Sequence, residues 1–312
     1  MNGHQILAIL ELIIYATLLP PVMFCTVHYV FKKQTAWLYL HAFVIAKIAG
    51  PAMYLCIATK SNPSRDLQVA AQILYSIALG PLLSATLSFV NSSPSRAAKW
   101  DQDSRRSQND HSAPTAYLPG QQHQHQQPAY TPLKISPAAA PSKTPSPFLT
   151  TFLRLLHPVI IVALVLGIIS GIDRAPSSDG TLNKDKYDRG ATFAKASAAL
   201  FVLALVGISA GAAFMFRHRR ALPRIASYII TCMPAIIPLL FLRVLYSLLA
   251  AANLDTTDHG GHRTGYNVLN GNWAVYLVLG LILQGLVLLD YTLYGVGACW
   301  KDRRGCSINQ VY

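Results

Sequence analysis

Long apolar runs dominate this sequence, and they constrain its fold more than any other feature. Each has about 20 residues or more, which is enough to cross a hydrocarbon core of about 30 Å as a helix. Because lipid offers no hydrogen-bond partners, the backbone of every run must be satisfied within its own helix. The sequence therefore predicts an all-α fold, a polytopic integral membrane bundle of seven transmembrane helices. The seven runs are roughly 5–31, 36–58, 67–90, 148–171, 191–216, 225–250 and 273–297.

The composition agrees with lipid as the surrounding medium. The chain is 52% hydrophobic and only 12% charged, whereas a soluble domain averages about 25% charged residues. The net charge of +13 raises the question of nucleic acid, but the basic residues cluster at the ends of the apolar runs. Membrane topology accounts for that placement. Membrane lipids are therefore the expected partners, and a nucleic-acid partner is not expected.

Lysines and arginines are distributed unequally between the two ends of the runs. Fifteen of them follow the first, third and fifth runs or lie in the C-terminal tail, against seven on the opposite side. Loops rich in lysine and arginine stay in the cytoplasm. The distribution predicts a multi-pass protein with its N-terminus outside and its C-terminus in the cytoplasm.

The runs fall into two groups separated by a polar segment. Residues 1–91 hold the first three predicted helices, and residues 148–297 hold the last four. Residues 92–147 are rich in proline, glutamine, serine and alanine, with few aliphatic side chains to bury. Such a segment cannot offset its ordering entropy, so we expect a disordered cytoplasmic loop. Residues 298–312 form the predicted cytoplasmic tail.

A cysteine at the start of this tail is a candidate for lipidation. Cys299 stands beside Trp300 and just before a basic cluster. Juxtamembrane cysteines in this setting are palmitoylated in many membrane proteins. The alternative interpretation is an unmodified thiol near the lipid headgroups.

Four ionisable residues fall well inside the predicted helices: Glu11, Lys47, Arg243 and Asp290. A lone charge at that depth costs about 2.5–3.5 kcal/mol on insertion scales, so each charge should face the bundle and pair. Helix rise puts Glu11 roughly 9 Å and Arg243 roughly 10 Å from the outer end. The same estimate gives roughly 16 Å for Lys47 and roughly 25 Å for Asp290. Lys47 could reach toward either acid. Our hypothesis is that Glu11 pairs with Arg243 and that Lys47 and Asp290 lie nearer the cytoplasmic half.

The sixth run, PAIIPLLFLRVLYS at 234–247, combines kinks with a polar face. Pro234 and Pro238 each remove a helical hydrogen bond. Arg243, Tyr246 and Ser247 follow at i, i+3 and i+4 and share one face. This face is either a packed polar seam that fixes helix register or a ligand pocket open to the outer side. The hypothetical ligand-binding residues are Glu11, Lys47, Arg243, Tyr246 and Asp290.

The sequence offers no catalytic or cofactor motif. The HExxH, GxSxG and Walker patterns are absent, and they would mark metalloprotease, hydrolase and nucleotide-binding sites. The last run has no lysine, which removes a retinal Schiff base. We expect neither enzymatic activity nor a bound metal or cofactor.

Five stretches of the helical parts resemble an uncharacterised fungal family of seven-transmembrane-helix membrane proteins, known as a domain of unknown function. They are ELIIYATLLP, AWLYLHAFVIAKIAG, LGPLLSATLSF, PLLFLRVLYS and LLDYTLYGVG. The sequence departs from the family pattern at Lys47, where arginine is expected, and at Asp290, where glutamate is expected. The resemblance implies a fungal seven-helix membrane protein and carries no established activity.

Three function classes fit these observations. The first is a receptor-like binder of a small or lipid-like ligand held between the helices. The second is a transporter or lipid-handling protein that uses the charges as a relay. The third is a structural membrane protein whose charges only set helix register. Transporters often contain internal repeats, and none is visible between the two halves, which favours the first class.

Overall fold

The structure is a computed structural model that describes residues 3–30, 34–60, 64–91, 147–174, 183–217, 224–252 and 273–308. The predicted loop at 92–147, apart from its last residue, lies outside the described residues. Every described element is helical, so the all-α prediction is confirmed for this part of the chain. The helices are α1 Gly3–Val30, α2 Ala36–Thr59, α3 Arg65–Ile77, α4 Leu79–Asn91, α5 Pro147–Asp173, α6 Lys184–Arg217, α7 Arg224–Ala252, α8 Trp273–Tyr276 and α9 Leu283–Ile308, with a π-helical segment Leu277–Ile282 joining α8 to α9.

Six of the described helical segments are long and apolar enough to cross a membrane. They correspond to every predicted run except the third. The third run is divided into α3 and the shorter apolar helix α4, with a turn at Ala78 between them. Pro81 follows this turn, and its ring leaves no room for a regular helical bond at the Ile77 carbonyl four residues earlier. The structure therefore supports a multi-pass helical bundle with six candidate crossings and one broken segment.

The helices form a ring around α4. In sequence order α1, α2, α3, α5, α6, α7 and α9 each pack on the next, and α9 returns to α1. The side chains of α4 are buried on nearly all sides, as expected for a helix that is apolar around its whole circumference. Phe89 of α4 packs edge-on against Trp37 of α2 and stacks on Tyr291 of α9. The Tyr291 hydroxyl donates to Thr86 Oγ1 at 2.9 Å.

The outer surface of the ring is apolar. Large aliphatic side chains on separate helices are more than half exposed, including Ile13 at 57%, Leu155 at 62% and Leu293 at 64%. A water-soluble protein rarely exposes contiguous apolar surface of this kind. The surface is therefore suited to contact with lipid tails.

Two helices extend beyond the predicted apolar runs. Helix α6 begins at Lys184 rather than at 191. Asn183 caps this end, because its side-chain oxygen accepts a hydrogen bond from the Lys186 backbone N–H at 3.2 Å. The Arg189 guanidinium holds the Asp173 carboxylate with bonds of 2.8 and 3.0 Å, which ties α6 to the end of α5. Helix α9 continues to Ile308 and so includes much of the predicted tail.

Helix α9 approaches α1 and α2 most closely at Gly295. The Tyr29 ring stacks on the Trp37 ring with centroids 5.3 Å apart, and the Tyr29 hydroxyl donates to the Gly295 carbonyl at 3.2 Å. A β-carbon at position 295 would overlap the Trp37 ring and lie 2.9 Å from the Cys25 sulfur. The three helices can therefore meet only because residue 295 has no side chain.

We predict that Gly295→Ala destabilises the bundle, because an added methyl group has no space beside a fixed aromatic ring. Gly297→Ala is the matched control, since a β-carbon there meets no atom within 4 Å. Both changes gain the same helix propensity, so their difference isolates the clash, which should cost about 1–3 kcal/mol. Thermal unfolding in detergent should give the Gly295 variant the lower melting temperature by several degrees. Equal melting temperatures would contradict this packing.

Candidate functional site

A buried ion pair joins the first two helices. The Lys47 ammonium on α2 donates to Glu11 Oε1 on α1 at 2.8 Å, and the two residues are 1% and 0% exposed. The Tyr276 hydroxyl donates to both Glu11 oxygens at 3.2 and 3.3 Å and accepts from Lys47 at 3.4 Å. These extra bonds are what a buried pair needs to offset the loss of hydration.

The predicted pairing of Glu11 with Arg243 is wrong, because Lys47 takes that place. Lys47 lies at the middle of α2, and its predicted position nearer the cytoplasmic half stays a prediction. Helix α1 begins at Gly3, which puts the Glu11 backbone roughly 12 Å from that end of the bundle. Helix α2 ends at Thr59, which puts the Lys47 backbone roughly 18 Å from the same end, so the two backbones differ in depth by roughly 6 Å, about one helical turn. The lysine side chain is long enough to cover that difference, which a depth estimate from backbone positions alone does not include.

Arg243 lies beside this pair without joining it. Its Nη1 donates to Ser247 Oγ at 2.7 Å, and its guanidinium carbon lies 5.3 Å from the centroid of the Tyr246 ring, a cation–π distance. Arg243 is 5% exposed, and its Nε has no acceptor among the described residues. Its charge is close enough to act on both Glu11 and Lys47.

Tyr15 completes the cluster from one turn below Glu11. Its side chain is fully buried, and its ring packs edge-on against Phe43. The Lys47 nitrogen lies 5.8 Å from the Tyr15 ring centroid. The Tyr15 hydroxyl has no hydrogen-bond partner in the part of the chain that the structure describes. The polar centre, as the cluster is called below, consists of Glu11, Tyr15, Lys47, Arg243, Tyr246, Ser247 and Tyr276.

The sequence prediction missed Tyr276, which makes three bonds in the polar centre. It singled out a tyrosine only where it shares a helix face with a charged residue, as Tyr246 does with Arg243. Tyr276 has no charged residue within one turn of it in the last run. The π-helical segment Leu277–Ile282 begins immediately after this residue, and such segments are frequent at functional sites. A β-carbon on Gly280 would lie 2.6 Å from the Tyr276 ring. The ring can occupy its position because residue 280 has no side chain.

Asp290 does not join the other predicted ligand-binding residues. It lies fourteen residues beyond Tyr276, roughly 21 Å farther along the helix. It lines a small cleft with Phe89, Cys232, Tyr291 and Tyr294, and its Oδ2 is buried without a partner among the described residues. The structure thus brings together Glu11, Lys47, Arg243 and Tyr246, and it leaves Asp290 in a separate place toward the opposite end.

The lipidation candidate Cys299 is buried rather than turned toward the headgroups. It is 1% exposed and lies in the same buried cluster as Cys25 and Tyr29. Palmitoylation of Cys299 stays a prediction, and it would require this end of α9 to separate from α1.

We predict strong energetic coupling between Glu11 and Lys47 and weak coupling between Glu11 and Arg243. Glu11→Gln and Lys47→Met should each cost about 3–5 kcal/mol, because each leaves one buried charge without its partner. The double variant should recover most of that loss. Double-mutant cycles measured by thermal unfolding test this, with Glu11→Gln combined with Arg243→Gln as the control pair. The proposed ion pair fails if the control pair couples as strongly.

Comparison with known families finds a match that covers most of the chain. The family described as Domain of unknown function (DUF7702) matches residues 1–111 and 138–301, and the gap between the two parts falls inside the low-complexity segment 92–147. No curated protein matches the chain, and no solved structure matches it. The match confirms the resemblance to a domain of unknown function, and the chain belongs to the DUF7702 family.

Proposed function

We propose that this protein is a receptor-like seven-helix binder of a small or lipid-like ligand, held at the polar centre, and that it is not an enzyme. The observation that carries the proposal is the convergence of polar side chains from α1, α2, α7 and α8 inside an apolar bundle. Intramembrane polar residues are expensive, and they mark functional sites by default. Two of these groups, Arg243 Nε and the Tyr15 hydroxyl, still have unused hydrogen-bonding capacity among the described residues.

The proposal counts α3 and α4 together as the seventh crossing. Residues 65–91 extend roughly 40 Å as a helix broken at Ala78, which is enough to cross the hydrocarbon core. Seven crossings put the N-terminus outside and the C-terminus in the cytoplasm, as the distribution of lysine and arginine favours. Fungal origin is part of the proposal and rests on the sequence resemblance.

Helix α7 gives the proposal a route to the cytoplasm. Arg243 and Tyr246 lie in its outer half, and Pro234 and Pro238 interrupt its hydrogen bonds below them. A ligand that draws Arg243 toward it would change the angle between the two halves of α7. The basic segment 217–224 precedes the helix on the cytoplasmic side and would transmit that change to a cytoplasmic partner, whose chemistry the proposal does not specify.

A transporter or lipid-handling protein is the second candidate. Gln284 lies between Tyr276 and Asp290 on the last helix, it is 1% exposed, and neither its amide nitrogen nor its oxygen has a partner among the described residues. Polar groups at three levels of one helix favour a path along it, as a relay requires. In a purely structural protein, by contrast, the ion pair alone would fix the register of α1 and α2.

We predict that the protein, purified in mild detergent, retains a small molecule detectable by native mass spectrometry. Tyr15→Phe should weaken its retention about tenfold, because the ligand loses a buried donor that has no partner among the described residues. Tyr294→Phe is the matched control, since this tyrosine lies outside the polar centre. Equal retention by both variants would contradict a site at the polar centre.

A flux assay in proteoliposomes separates the two candidate functions. A receptor-like binder should not move the retained molecule across the bilayer. Transport that depends on the protein would overturn the receptor-like proposal in favour of the transporter. No retained molecule, together with an unchanged melting temperature across a ligand library, would favour the structural role.

A further inference from the structure

We infer that the ligand of the polar centre carries an anionic group, a carboxylate or a phosphate, that binds Arg243. This inference rests on the proposed function and narrows it to one class of ligand. Three observations support it: the charge balance of the polar centre, the donors that remain unused there, and the way Arg243 is held.

The charge balance leaves one positive charge in excess. The Glu11–Lys47 pair is neutral as a unit, whether the shared proton lies on the amine or on the carboxylate. Within the described ranges Arg243 has no ion-pair partner, and Asp290 lies roughly 21 Å farther along the last helix than Tyr276. A buried charge without a counter-charge is strongly unfavourable. An anion at this place would therefore be bound with the full benefit of a low dielectric.

Two donors of the polar centre are unused. Arg243 Nε and the Tyr15 hydroxyl are both buried and both lack a partner among the described residues. Tyr15 belongs to the same cluster through Lys47, whose nitrogen lies 5.8 Å from the centroid of the Tyr15 ring. Glu11 already accepts from Lys47 and Tyr276, and these contacts keep the competing carboxylate away from Arg243.

The guanidinium is also held in place before any ligand binds. Its Nη1 bond to Ser247 at 2.7 Å and its position over the Tyr246 ring fix both its plane and its direction. A planar, preorganised guanidinium suits carboxylates and phosphates through paired hydrogen bonds. A cationic ligand would meet a like charge at the same place, and a neutral one would leave the excess charge uncompensated.

The anionic group can arrive on a lipid-like molecule or as a free small anion, and matched probes distinguish the two sources. The full-length protein is placed in nanodiscs of zwitterionic phosphatidylcholine. Its melting temperature is then measured with oleate against oleamide, with acetate against acetamide, and with inorganic phosphate. We expect the anions, but not their amides, to raise the melting temperature by about 3 °C at ten times the dissociation constant. A response to oleate alone identifies a lipid-borne group, and responses to acetate or phosphate as well identify a free anion.

Variants connect the response to the polar centre. Arg243→Gln should abolish the shift, whereas Arg154→Gln, an exposed arginine on α5, should keep it. If Arg243→Gln does not fold, Tyr15→Phe replaces it, and the oleate midpoint should rise about tenfold. Equal stabilisation by oleate and oleamide, a full response in Arg243→Gln, or no response to any anion would overturn the inference. A neutral molecule retained at the polar centre would overturn it too, and would leave the proposed function standing.

Discussion

Lipid supplies neither hydrogen bonds nor counter-charges, so every polar group inside this bundle depends on the bundle for its partners. The Glu11–Lys47 pair is the clearest response to that constraint, because it couples α1 to α2 and reaches α8 through Tyr276. Arg243 meets the same constraint incompletely, with one bond to Ser247 and one buried nitrogen without an acceptor among the described residues. The difference between a satisfied pair and a partly satisfied cation is what distinguishes a structural contact from a candidate binding site here.

The two ends of the bundle are held by different interactions. At the end where α9 meets α1 and α2, the helices pack through aromatic rings. Tyr29, Trp37, Phe89 and Tyr291 contact one another in a continuous series from α1 through α2 and α4 to α9. Inside a membrane such contacts depend on close fit rather than on the exclusion of water. The opposite end contains the polar centre, where directional bonds to few partners replace that fit. One end of the bundle is therefore held by packed rings, and the other by directional bonds with donors to spare.

The sequence was sufficient to predict the helices, but it did not predict which buried polar side chains bind one another. Apolar runs predicted the all-α fold because length and hydropathy decide it, and the break at Pro81 follows from a steric rule that the run length concealed. The membership of Glu11, Lys47, Arg243 and Tyr246 in one cluster was predictable from the cost of buried charge. The choice of Lys47 over Arg243 was not, because it depends on side-chain reach and helix rotation. Tyr276 was missed because no charged residue lies within one turn of it, and its partners are on α1 and α2.

The π-helical segment Leu277–Ile282 lies between the two parts of the last helix. Its hydrogen bonds join residues five apart rather than four apart, so the segment contains one residue more than the same length of α-helix. Releasing that residue into either flank would turn the rest of the helix by roughly 100° and advance it by 1.5 Å, at no loss of backbone bonding. Tyr276 and Asp290 are therefore joined by a segment in which a shift of one residue would change both their relative rotation and their separation.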